Sequence, residues 1–160
     1  MVVAPVDIRW FHSEGRYNYE SLHTGSIFLG VNAGAGDKLK LDVTGMVGGV
    51  FGDVDGVAPA FRLTLSWWKL DFSTEDEYLI DAHDLGASFF YSWSELGISP
   101  LRWLRLGVVG QRTRVIHNGL DLQRGLLAGV SLFQTVSLTF YELNLGWITP
   151  TYILALGASY

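Results

Sequence analysis

Cysteine is absent from the 160 residues, which excludes a disulfide-stapled scaffold and a thiolate metal centre. Charge is scarce as well. Only 17% of the residues are Asp, Glu, Lys or Arg, fewer than the outside of a soluble barrel normally carries. The net charge of −5 offers no basic surface for nucleic acid. Nor does any stretch approach the ~18–20 apolar residues of a membrane-crossing helix. Yet hydrophobic residues make up 49% of the chain and aromatics 14%. Hydrophobicity without long runs has to be carried by alternation, the pattern of strands with one apolar face. Glycine is plentiful, at 19 residues, and the length suits one domain over residues 1–160.

The clearest alternation closes the chain. From Pro150 to Tyr160, Tyr152, Leu154, Leu156, Ala158 and Tyr160 share one face, and Thr151, Ile153, Ala155, Gly157 and Ser159 the other. A strand of about 9–11 residues with a greasy face and aromatic ends has the dimensions of a bilayer-crossing strand. Its closing aromatic resembles the terminal strand of bacterial outer-membrane barrels. Upstream, Ile8–Glu20 alternates poorly, whereas Gly25–Ala35 sets Ile27, Leu29, Val31, Ala33 and Ala35 on one side. Gly36-Asp37-Lys38 turns the chain, and Leu39–Phe51 sets Leu41, Val43 and Val47 against Lys40, Asp42 and Thr44. Asp53–Ala58 reads as a loop. Phe61, Leu63, Leu65 and Trp67 face one way, and the parity then flips to Leu70, Phe72, Tyr78 and Ile80. A turn at Trp68-Lys69 explains the flip, although Trp-Lys is poor turn chemistry. Next, Ala87, Phe89, Tyr91 and Trp93 are expected outward, with Phe90, Ser92 and Ser94 inward. Leu96–Leu101, with Pro100, reads as a connector. Leu104, Leu106 and Val108 follow outward, and His117-Asn118-Gly119 reads as a three-residue hairpin loop. Leu122, Leu126, Val130 and Leu132 and then Val136, Leu138 and Phe140 continue the outward face.

This count gives ten strands, nine without the Trp68 turn, or eight if the N-terminal strand stands outside. The fold expected is an all-β, closed, antiparallel up-and-down transmembrane barrel of ten strands, an even number with both termini periplasmic. Met1-Val2-Val3-Ala4-Pro5 has neither a basic region nor an adequate apolar core for a signal peptide. The expected location is the bacterial outer membrane, reached as a mature chain.

Alternation alone does not choose between a membrane barrel and a lipocalin-like one. The polar face decides, because it holds many Gly, Ser and Thr and a few charges of both signs. Lys40, Asp42, Arg62, Asp71, Glu75, Glu77 and Arg105 are expected to form a charge network filling a narrow lumen. On the other face Arg102 and Arg112 bracket Leu104, Leu106, Val108 and Gly110, ten residues apart, about one bilayer crossing. With His117–Gly119 as the loop, Arg112 falls opposite Arg124, with Arg114 beside it. Like charges in register repel, and lipopolysaccharide phosphates are the anions expected to relieve them. His23, His83 and His117, with Asp81, Asp84 and Asp121 nearby, form a weaker rim set suited to zinc or an Asp–His pair. His12 stands apart, and His12-Ser13-Glu14 points to alternate faces. Gly30–Gly36 lacks the Gly-Lys-[Ser/Thr] of a phosphate loop. No catalytic residue and no cofactor is expected.

Arg16-Tyr17-Asn18-Tyr19-Glu20, Met46 to Gly52, Phe89 to Leu96, Gln111-Arg112-Thr113, Gln123-Arg124-Gly125 and the terminal strand together resemble a group of small, uncharacterised bacterial outer-membrane barrel proteins. The resemblance implies an exported barrel and brings no activity or substrate with it. Gly146-Trp147 departs from it, where a more polar turn is expected. The function expected is structural or interaction-based, with the lipid bilayer and a protein in a membrane complex as contacts. A narrow channel or small-ligand binder using the charged lumen is the alternative. A rim hydrolase at the histidines is the third reading.

Overall fold

The computed structural model describes residues 1–116, 119–132, 135–146 and 149–158. Eleven strands form one antiparallel sheet in which every neighbour in sequence is a neighbour in space. They are β1 (Val2–Ile8), β2 (Phe11–Tyr17), β3 (Thr24–Ala35), β4 (Leu39–Gly52), β5 (Gly56–Trp67), β6 (Leu70–Asp81), β7 (Phe89–Leu101), β8 (Leu104–Val115), β9 (Gly119–Leu132), β10 (Val136–Leu143) and β11 (Thr151–Ala158). A 3₁₀ turn, Leu85–Ala87, precedes β7. Ala87, read as part of a strand, belongs to it.

The count of ten is corrected to eleven. Val2–Ile8 pairs with Phe11–Tyr17 through a two-residue turn at Arg9-Trp10, where Arg9 takes a left-handed φ of 58°. Pro5 interrupts the alternation of β1 and conceals it; at a sheet edge its missing N–H is tolerated. An odd count makes the two edge strands run in the same direction. No ladder joins β1 to β11 among the described residues, so the sheet is not closed.

The sheet is nevertheless strongly curled. Lying flat, β2 and β6 would be about 19 Å apart at the usual strand spacing. Instead Arg16 on β2 reaches Glu77 on β6 at 2.8 Å. Tyr141 on β10 likewise reaches Glu95 on β7, three strands away, at 2.8 Å. The concave side holds two apolar clusters. Phe28, Met46, Val50, Ala58, Ala60 and Leu79 form one, and Val109, Leu127, Tyr141 and Leu143 the other.

The turn at Trp68-Lys69 is present: Trp67 pairs with Leu70, and Trp68 adopts φ 53°. A left-handed residue with a Cβ costs about 1–2 kcal/mol. Here Ser99 N–H donates to the Lys69 carbonyl at 2.8 Å and Lys69 Nζ donates to the Pro100 carbonyl at 2.9 Å. The neighbouring β7–β8 hairpin thus anchors a turn that the dipeptide alone disfavours. Leu96–Leu101 is not a connector but the end of β7, and Pro100 sits in the irregularity between Ile98 and Leu101. Asp53–Ala58 is only partly loop, because β5 begins at Gly56. Its ladder to β6 skips Ala58 and Pro59, where proline has no hydrogen to give.

One strand is turned over relative to expectation. On β7, Tyr91 and Trp93 face the concave side, where Trp93 meets Tyr141 and Tyr91 meets Tyr19. Phe90, Ser92 and Ser94 face outward, with Ser94 Oγ 2.9 Å from Thr74 Oγ1. The interior needs O–H and N–H donors for its carboxylates, and Tyr and Trp supply them on an apolar body.

Gly48 tests the packing of the first cluster. A Cβ there would lie 2.7 Å from the Phe28 ring, over which Arg16 also packs, at 4.2 Å. Gly48→Val is expected to destabilise the fold by about 1–3 kcal/mol, measured by denaturant titration against Gly49→Ala, where nothing lies within 4 Å of the added carbon.

Candidate functional site

The concave face concentrates the buried charge. On β2, alternation sends His12, Glu14 and Arg16 inward and leaves Ser13 on the other side. Arg16 is fully buried and its guanidinium is satisfied on every side. Nε donates to Glu14 Oε1 at 2.5 Å, Nη1 to Glu77 Oε2 at 2.8 Å, and Nη2 lies 2.9 Å from Glu75 Oε1. The guanidinium carbon lies over the rings of Tyr19, at 4.3 Å, and Phe28, at 4.2 Å. Arg62 from β5 ties the same carboxylates together, with Nη2 at 3.1 Å from Glu14 Oε2 and 2.8 Å from Glu75 Oε2. Tyr19 also donates its hydroxyl to Glu75 at 2.9 Å.

The loop between β2 and β3 closes over this cluster. Asn18 and His23 take left-handed φ values of 54° and 52°, and His23 N–H donates to Asn18 Oδ1 at 2.7 Å. The tight loop turns Tyr19 and Glu20 inward, and Ser26 Oγ donates to Glu20 Oε1 at 2.6 Å. Two guanidiniums, Arg16 and Arg62, therefore face four carboxylates, Glu14, Glu20, Glu75 and Glu77.

A second cluster lies further along the sheet. Arg105 on β8 bonds to Asp71 on β6 and, at 2.5 Å, to Glu95 on β7. Glu95 also accepts from Trp93 Nε1 and the Tyr141 hydroxyl, each at 2.8 Å. A Cβ on Gly97 would come within 2.7 Å of Arg105 Nε, so the glycine makes room for the ion pair.

Of the expected network, Arg62, Glu75 and Glu77 fall in the first cluster and Asp71 and Arg105 in the second. Lys40 and Asp42 do not join them. They share the interior parity of β4 but lie near its turn, exposed, with no ion pair among the described residues. Sequence reasoning missed Glu14, Arg16, Glu20, Glu95 and Tyr141. The i, i+2, i+4 spacing of His12, Glu14 and Arg16 was the available signal, hidden because the apolar residues of that segment alternate poorly.

The arginine set is rearranged. The β8–β9 ladder pairs Val115 with Gly119, so Arg112 lies opposite Leu122, Arg114 opposite Leu120, and Arg124 opposite Gly110. The expected register is off by two residues, which preserves the face and changes the neighbours. Direct opposition of Arg112 and Arg124 is thereby removed. All three remain exposed, but Arg112 and Arg114 line one groove with Tyr78, Phe90 and Ile116, while Arg124 lines another with Leu122, Leu126 and Asn144.

Of the rim histidines, His23 and His83 each bond to a different aspartate. His23 pairs with Asp53 at 3.2 Å, and His83 donates its backbone N–H to Asp81. His117 and Asn118 lie outside the described residues. No group of three or more His, Asp or Glu is placed to hold a metal among the described residues. His12 is buried, with Nδ1 2.7 Å from Asp7 Oδ1 and Nε2 3.7 Å from Glu14 Oε2. The interior carboxylates Glu14, Glu75, Glu77, Asp71 and Glu95 are each paired with an arginine, while Glu20 Oε2 and Glu77 Oε1 are buried without a hydrogen-bond partner among the described residues.

No family model matches the chain, and no curated protein or solved structure matches it.

Arg16→Met is expected to cost about 3–5 kcal/mol, because Glu77 is left buried without its cation and Glu14 and Glu75 keep only Arg62. Arg112→Gln, on the exposed face, is expected to stay within about 0.5 kcal/mol. Parallel unfolding titrations check the contrast, and equal losses would contradict the assignment of Arg16 to the buried network.

Proposed function

We propose that this chain is a small outer-membrane β-barrel protein with a structural or interaction role, its interior filled by side chains. One observation carries the reading: polarity is inverted relative to a soluble sheet protein. The concave side buries Glu14, Arg16 and Glu77, whereas Ile27, Leu29, Val31, Val47, Leu126, Leu154 and Leu156 are half or more exposed on the convex side. Leaving such a surface to water would forgo about 1.5–3 kcal/mol for each large apolar side chain, and soluble monomers rarely carry contiguous apolar faces on this scale. Lipid is the solvent that suits it. Strands of 12–14 residues from β3 to β9 are long enough to cross a bilayer at a tilt.

The eleven-strand order bears on closure. With β1 and β11 running in the same direction, closing the sheet through them requires a parallel contact, as odd-numbered barrels have. The resemblance to uncharacterised outer-membrane barrels supports the same reading. A filled lumen is favoured over a channel because both charge clusters lie across the interior. Arg16 and Arg62 join β2 to β5 and β6, and Tyr141 joins β10 to β7.

Folding into detergent micelles or liposomes tests the proposal. A β-rich, heat-modifiable species on unboiled gels that forms only with detergent or lipid is the expected result, with no single-channel conductance in planar bilayers. A β-rich monomer stable in plain buffer would overturn it.

A further inference from the structure

The outward face is not uniformly apolar. Across β6, β7 and β8 the register aligns Asp76 with Ser92 and Ser92 with Arg112. The next outward row aligns Tyr78, Phe90 and Arg114. Asp76, Tyr78, Phe90, Arg112 and Arg114 line two grooves that share Tyr78 and Phe90. One, of about 250 Å³, includes Phe61 and Asp76; the other, of about 400 Å³, includes Arg112, Arg114 and Ile116. Arg112 lies over the Phe90 ring, at 5.9 Å from its centroid.

The charges in this groove are unneutralised. Among the described residues no carboxylate lies within 4.0 Å of Arg112 or Arg114, and no cation within 4.0 Å of Asp76. Among the described residues, Asp76 accepts a side-chain hydrogen bond from the Thr74 hydroxyl alone, at 3.0 Å. Two strand spacings, about 10 Å, separate the Asp76 and Arg112 backbones, and Arg112 is turned over the Phe90 ring with no ion pair to Asp76. An uncompensated carboxylate and two uncompensated guanidiniums on a lipid-facing surface are costly unless a ligand of complementary charge lies between them. A ligand carrying only negative charge would satisfy the arginines and be repelled by Asp76.

We propose that this groove binds the headgroup of a zwitterionic aminophospholipid. The phosphate sits on Arg112 and Arg114, whose planar forks match its oxygens. The ammonium sits at Asp76, against the faces of Tyr78 and Phe90, which attract a cation through their ring quadrupoles. Ser92, between the two charged ends, offers a hydroxyl to the linking oxygens, and the acyl chains continue along the apolar outward face. The inference rests on the membrane reading of the preceding section.

The test is native mass spectrometry of the full chain released from micelles containing equal amounts of phosphatidylethanolamine and phosphatidylglycerol with identical acyl chains. Preferential retention of phosphatidylethanolamine, by about tenfold, is expected. Asp76→Asn is expected to abolish the preference while leaving the protein heat-modifiable, and the pair Arg112→Gln and Arg114→Gln to lose both lipids. Equal retention, a preference for phosphatidylglycerol, or an Asp76→Asn protein with the wild-type ratio would each overturn the proposal. A protein that folds in micelles without lipid preference refutes this inference alone. One that folds without detergent refutes the membrane reading as well.

Discussion

The buried guanidinium of Arg16 is the group on which the arrangement of the sheet depends. Removing such an ion from water costs several kcal/mol after relaxation, and only close, well-directed carboxylates offset it. Those carboxylates come from its own strand, Glu14, and from β6, Glu75 and Glu77. The ion pair can form only if the sheet curls until β2 faces β6. Arg62 then shares two of the same acids, while the guanidinium of Arg16 packs over the rings of Tyr19 and Phe28. Gly48 behind Phe28 is part of the same constraint, because the ring lies where a side chain would otherwise be.

The polarity of the two faces follows. Once the concave side is occupied by ion pairs and their aromatic supports, alternation sends the aliphatic residues outward. The convex surface is therefore apolar by the same period that makes the interior charged. Against that background the row Asp76, Ser92, Arg112 is a local exception. It lies where β7 presents Ser92 and Ser94 outward because Tyr91 and Trp93 are needed inside. The polar patch outside and the aromatic support inside are two faces of one strand.

Much of this was legible in the chain. The outward sets on β3, β4, β5, β6, β8 and β11 follow from period two alone, and so does the interior position of Arg62, Glu75, Glu77 and Arg105. The Trp68 turn was legible from the parity flip, although its local chemistry argued against it. Other features were not legible, each for a physical reason. The strand Val2–Ile8 is short and broken by Pro5. The inward face of β7 is aromatic, and a rule that sends aromatics to the apolar side turns that strand over. The arginine register depended on which three residues make the loop, and a shift of two leaves every side chain on its face, so periodicity cannot detect it.

The sequence by itself determined which residues share a face, because a strand's side chains alternate whatever lies beside them. It also determined that the charged face is sparse and the other aliphatic. The tertiary structure decided what those charges do. Glu77 and Arg16, 61 positions apart, carry no local signal of their meeting, and neither do Tyr141 and Glu95. Their contacts depend on how far the sheet curls and on its stagger, quantities summed over many strands. The same curl set Lys40 and Asp42 aside: they have the right parity, but they lie near the turn end of β4, beyond the reach of the interior clusters.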